Sequence, residues 1–157
     1  MLTPNWHNDT YLEEYHRAFF TRYAQGKDIL KCGISDEHIG GLATVPSLLS
    51  ALPTGDHRQT IKTHITLTHR HSNVLRAADC LVRLLQFIAN GTPLREAIMT
   101  QAGDWLSTRK ATKWENQDDR VIIGQRLSPA CYIDQSFPAS LYLAWKYHEN
   151  FTEAVIA

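Results

Sequence analysis

Between residues 72 and 90 one face of the chain is apolar: Val74, Ala77, Ala78, Leu81, Leu84, Leu85 and Ile88 recur at steps of three and four. That spacing returns side chains to one side of an α-helix, whereas a half-buried strand would need strict alternation. A helix with so broad a stripe is stable only when other elements cover it, because packing supplies most helical stability. No alternating run long enough for a convincing strand occurs elsewhere, so the cover must itself be helical. The expected fold is all-α, a multi-helix orthogonal bundle with helix 72–90 at its centre. At 157 residues the chain suits one core and reads as a single domain over 1–157.

Local signals place the other helices. Asn90-Gly91 ends the central helix, and Thr92 as cap with Pro93 in the first position starts the next, over 93–102, with Leu94 and Ile98 inward. Upstream, Asp9 or Thr10 stands where it would cap a helix reaching Tyr23 and ending near Gln25-Gly26, with Leu12, Tyr15, Phe19, Phe20 and Tyr23 as an aromatic-rich stripe. Helices are also expected over 40–52, closed by Pro53-Thr54-Gly55, and over 58–69. In the latter, β-branched Ile61, Thr63, Ile65, Thr66 and Thr68 weaken the helical preference without defeating it. Residues 103–136 read as one or two short helices among long loops. A helix over 137–149 then carries Leu141, Ala144, Trp145 and His148 on one face, with Pro138 tolerated in its first turn. Asn150 and Glu153 have the spacing of a capping box before Phe151, Ala154 and Val155, and with Ala157 as the last residue this helix reads as cut in mid-course.

Sixteen Lys plus Arg balance sixteen Asp plus Glu, and 43% of residues are apolar, which excludes a disordered tail and a polybasic nucleic-acid arm. No run approaches the ~18 apolar residues of a membrane span, and the first residues lack the apolar segment of a secretory signal. A soluble protein of the cytoplasm or an organelle interior is expected, with neither membrane nor nucleic acid as partner. Cys32, Cys80 and Cys131 are odd in number and far apart, which suggests neither a disulfide framework nor a thiolate zinc site.

Several clusters could carry chemistry. His64, His69 and His71 are the densest histidine group, but His64 and His69 do not share a helical face and no Cys or carboxylate stands beside them at ligand spacing, so no metal set is expected there. Trp105 and Trp114 flank Arg109, Lys110 and Lys113, yet Glu115, Asp118 and Asp119 follow at once, which favours a basic helix end with core tryptophans over a single-strand binder. Cys80 lies within the apolar helix, where a thiol is inert. The segment from Gly33 through Ser35, Asp36, Glu37 and His38 to Gly40-Gly41 is a polar, glycine-bounded loop. Ser35 or Asp36 can cap the helix that follows, or the loop can receive an anionic or hydroxyl-rich ligand. His69, closing one helix before the next, is placed to donate across that junction.

Taken together, these segments resemble the ADP-ribosylglycohydrolase family. Ser35-Asp36-Glu37-His38-Ile39-Gly40-Gly41 followed by Pro46-Ser47-Leu48-Leu49 looks like the family's loop and helix, although Ala43 stands where the family has an arginine. Leu67-Thr68-His69 is similar to a Leu-Thr-His segment ahead of an Ala-rich helix, Asn90 through Ala97 fits the following loop and helix, and Cys131–Pro138 and Phe151–Ala157 look like the helices before the metal motif. The match runs in order over about residues 30–157. The resemblance implies an all-α hydrolase that removes ADP-ribose from modified side chains with two magnesium ions, and it implies a substrate cleft bordered by Ser35, Asp36, Gly40, Gly41 and His69.

The departures bear on mechanism. The family's Thr-Asp-Asp-Thr and Gly-Gly-Asp-x-Asp metal motifs are absent, and Asn8-Asp9-Thr10 only superficially resembles the first. Hard Mg²⁺ needs several carboxylate and hydroxyl oxygens in near-octahedral geometry. The expectation is therefore an incomplete or degenerate copy that binds magnesium weakly, has no assigned catalytic residue and is inactive alone. The alternative is a non-catalytic scaffold or assembly subunit. In either case, self-association or a capping partner chain is expected to cover Phe151, Val155 and Ile156.

Overall fold

The computed structural model describes residues 11–53 and 55–157. Among them the architecture is all-helical, as the periodicity predicts, and the central element is the helix Ser72–Ala89. In chain order the α-helices are α1 (Glu14–Ala24), α2 (Val45–Ala51), α3 (Arg58–Thr66), α4 (Ser72–Ala89), α5 (Leu94–Gln101), α6 (Thr108–Trp114), α7 (Asp119–Val121), α8 (Ile133–Lys146) and α9 (Phe151–Ile156). Helix α4 packs against α2, α3, α5 and α8 and against a 3₁₀ turn at Ile39–Leu42. It is buried on more sides than one stripe predicts: Cys80 and Val82 join Val74, Ala77, Ala78 and Leu84 in the interior, while Leu81, Leu85 and Ile88 pack partly buried at its margin. The alanines let neighbouring backbones come close, and the long side chains fill what remains.

Several boundaries differ from expectation, each for a local reason. The helix expected over 40–52 is two elements, because Ile39–Leu42 forms a 3₁₀ turn and Pro46 starts α2 in its first turn. The helix expected over 58–69 stops at Thr66, because residues 68–70 leave it to pair with Ile34. Helix α8 begins at Ile133 rather than 137, so Pro138 lies inside it and not in its first turn. The ring deprives the Asp134 carbonyl of its helical donor, and Ser136 and Ser140 hydroxyls donate to the Tyr132 and Ser136 carbonyls in the same stretch, both at 2.9 Å. Before α5 it is Pro93, not Thr92, that occupies the cap position. The cap expected at Asp9 or Thr10 lies outside the described residues, and α1 begins at Glu14. The cap of α9 is as predicted, with Asn150 accepting from the Glu153 N–H at 3.1 Å.

The irregular stretch 103–132 contains α6, α7 and a π turn at Ile122–Arg126. Asp119 fastens it to α8. Its carboxylate accepts from Tyr142 at 3.2 Å, from Lys146 at 2.9 Å and from the Tyr147 hydroxyl. Beside it Trp114 meets Tyr142 edge-on, and Trp105 meets Phe137 in the same way. Both tryptophans thus serve packing, while Arg109, Lys110 and Lys113 are exposed on α6. Among the described residues no helix is long and apolar enough to cross a membrane.

Candidate functional site

Two short bridges hold the Gly33–Gly41 loop. On one side Ile34 N–H donates to Thr68 C=O at 3.0 Å and Arg70 N–H to Ile34 C=O at 2.7 Å, a parallel pairing of Ile34 with His69. On the other side Ile39 N–H donates to Cys131 C=O and Ile133 N–H to Glu37 C=O, each at 2.8 Å. The loop is therefore clamped between the α3–α4 junction and the start of α8. Within it Asp36 Oδ1 accepts the His38 N–H at 2.7 Å, and His38 Nδ1 accepts the Gly40 N–H at 2.9 Å. Asp36 thus closes a local turn, but the cap expected from Ser35 or Asp36 is supplied by His38, which precedes the 3₁₀ turn Ile39–Leu42.

His69 is the centre of this arrangement and is 1% exposed. Its Nδ1 shares a hydrogen bond with Thr68 Oγ1 at 2.9 Å, and Thr68 Oγ1 also lies 3.4 Å from Ile65 C=O. Nε2 stands 4.0 Å from Asp36 Oδ1 and has no hydrogen-bond partner. Burial drives the His69 pKa down to about 4, with His38 and His16 pushing the same way and Asp36 opposing. At neutral pH the ring is uncharged. The donation across the helix junction anticipated for His69 is not made: the ring's hydrogen bond is with the neighbouring Thr68. Tyr15 covers the ring, with centroids 4.1 Å apart, and its hydroxyl pKa is raised by burial and then by Glu13 and Asp36.

The two glycines are sites of close approach. A Cβ on Gly41 would stand 2.7 Å from Val74 Cγ1 and 3.0 Å from His69 Cγ, and one on Gly40 would meet His38 Nδ1 at 2.8 Å. Between α1 and this floor lies a recess of about 300 Å³ lined by Tyr15, Phe19, Gly40, Gly41, His64 and His69. Of the five residues expected at a cleft, Gly40, Gly41 and His69 line the recess; Asp36 Oδ1 stands 4.0 Å from His69 Nε2 but does not line it, and Ser35 is exposed and does not line it either. Tyr15 and His38 were not singled out for the site. Tyr15 looks like one more member of an aromatic stripe, and only the fold brings it over His69.

Chemically, the recess offers a neutral imidazole beside an aromatic wall, with the Asp36 carboxylate 4.0 Å from its Nε2. Such a wall suits a flat or sugar-like group. It does not fit a magnesium pair: the carboxylate beside His69 is that of Asp36 alone, amid imidazoles, where hard Mg²⁺ demands several oxygens. Among the described residues no group of three or more His, Cys, Asp or Glu side chains is placed to hold a metal ion. Asn8-Asp9-Thr10 lies outside them. Cys80 donates to Gln101 C=O at 3.3 Å, and burial pushes its thiol up to about 11, far from a reactive thiolate. Comparison of the chain with family models, curated proteins and solved structures finds no match in any of the three.

Proposed function

We propose that the chain is an ADP-ribosylglycohydrolase-type domain in degenerate form, holding an ADP-ribosyl group at Asp36, Gly40, Gly41 and His69 without hydrolysing it alone. The observation that carries this reading is the unpartnered, buried Nε2 of His69 facing Asp36 Oδ1 at 4.0 Å. A buried polar nitrogen without a partner is destabilising by about 1–3 kcal/mol, and a ligand hydroxyl, which can donate or accept, would remove that penalty. The order of the segments that resemble the family supports the choice of ligand. Calorimetric titration with ADP-ribose should show saturable binding that His69→Gln weakens about tenfold or more. Added magnesium should change little, and an ADP-ribosylated peptide should not be turned over. Absence of binding, equal affinity in the variant, or turnover would each overturn the reading.

A second reading, a non-catalytic assembly subunit, is favoured by α9, where Phe151, Val155 and Ile156 are 83%, 68% and 76% exposed. Phe151, with Ala154 of the same helix, lines an apolar groove of about 320 Å³ together with Leu94, Leu143 and Tyr147. Apolar surface of this kind is favourable to bury at about 25 cal/mol per Å². Under this reading sedimentation should show concentration-dependent association that Val155→Asp abolishes, and a monomer at every concentration would argue against it.

A further inference from the structure

The recess at His69 is not the only concavity with convergent polar groups. A cleft of about 420 Å³ opens between α3, α4 and the turn after α5. It shares Lys62, Leu75 and Asp79 with a smaller groove of about 280 Å³ and shares no lining residue with the His69 recess.

The ionic groups of this cleft are unevenly committed. Arg83 is taken up by Asp79 at 3.1 Å and by Gln101 Oε1 at 3.1 Å. Arg76 lies over the Trp105 ring, 5.5 Å from its centroid, and its one hydrogen bond reaches Asn73 Oδ1 at 3.5 Å. Among the described residues neither Arg76 nor Lys62 has a carboxylate at ion-pair distance. The cation–π contact with the indole favours a guanidinium position beside the cleft. Lys62 faces the same cleft from α3, and Leu75 supplies an apolar floor. Asp104 also lines it and sets a limit on how much negative charge is welcome.

We propose that this cleft is a second ligand site, for a small organic phosphate whose anionic group meets Arg76 and Lys62 and whose apolar body rests on Leu75. The guanidinium fork favours tetrahedral or planar oxyanions over a halide, and the floor favours an ester over the bare ion. The pairing of an arginine over an indole ring and a lysine, both without acid partners, on two different helices is what carries the assignment.

Phenyl phosphate serves as the probe, titrated by calorimetry and by ¹H–¹⁵N spectra of the native chain. Saturable binding is expected, with the Trp105 indole N–H and Leu75 amide signals shifting. Inorganic phosphate should bind about tenfold or more weakly because it leaves the floor uncovered. Arg76→Gln and Lys62→Met should each weaken phenyl phosphate about tenfold, while Arg109→Gln, on exposed α6, and His69→Gln leave it unchanged. Arg76 and Lys62 are exposed, and circular dichroism of the variants verifies that the fold is kept. Absence of saturation, shifts confined to other surfaces, or equal loss in Arg109→Gln would overturn the proposal. Loss of ADP-ribose binding with phenyl phosphate binding intact would count against the His69 recess alone.

Discussion

Replacing Asp119 by alanine is expected to destabilise the protein by about 3 kcal/mol, because three donors on α8 and the turn after it lose a shared acceptor. The side chain is 14% exposed and that of its partner Lys146 16%, so solvent screens the pair only in part. Lys146 also donates to Gln117 C=O, and Tyr142 to Trp114 C=O, so the loss would loosen α6, α7 and the π turn together. Burial acts to raise the Asp119 pKa, but the hydrogen bonds from Tyr147 and Lys146, the Lys146 charge and the Tyr142 hydroxyl hold it below the ordinary carboxylate value. A lowered folded pKa gives stability that is present above the unfolded value and lost as pH falls through the folded one. The gap between wild type and Asp119→Asn in urea melts should therefore be full at pH 7 and close below about pH 4. A gap that persisted unchanged at pH 2 would mean that the carboxylate charge contributes nothing.

Gly41→Ala should be damaging, because the added methyl enters a closed interior. The new Cβ would press on Val74 in α4 and on the His69 ring, and Tyr15 lies close on His69. Overpacking of a closed interior typically costs about 2 kcal/mol, which for a chain of this length lowers the melting temperature by roughly 4–8 °C. If the recess holds ADP-ribose as proposed, its affinity should fall with it, since the His69 ring is displaced. Gly124→Ala is the matched control, because its Cβ would meet nothing within 4 Å. Equal melting temperatures for the two variants would show that the close approach at Gly41 is not real.

What the sequence made legible follows from the range of each interaction. The centre of the fold was readable because the stripe of α4 is a local, periodic pattern, and the Asn150 cap because its partner is three residues away. The end of α3 was not, since nothing within residues 58–69 says that Ile34 will take the Thr68 carbonyl. The start of α8 was misplaced because Pro138 is ordinarily a first-turn residue, and here the hydroxyls of Ser136 and Ser140 accompany it inside the helix. At the site, Asp36, the glycines and His69 stood out through loop composition and family resemblance. Tyr15 and His38 did not, because their contacts with His69 and Gly40 depend on tertiary placement or on a ring nitrogen accepting from backbone. The role of Asp119 was not legible either, because its donors Tyr142, Lys146 and Tyr147 lie more than twenty residues away.

The recess has a floor and a roof of unequal cohesion. The floor belongs to α3, α4 and the clamped loop, all tied into the main interior. The roof, α1, buries one residue of its own, Tyr15, and is otherwise tethered by the Arg22 guanidinium to the Cys32 and Gly33 carbonyls at 3.2 and 2.7 Å. Among the described residues, lifting α1 breaks a handful of contacts while the bundle beneath stays shut, so local opening costs far less than global unfolding. The roof can therefore fray by itself, and Arg22→Ala should speed amide exchange along α1 while that of the floor stays unchanged.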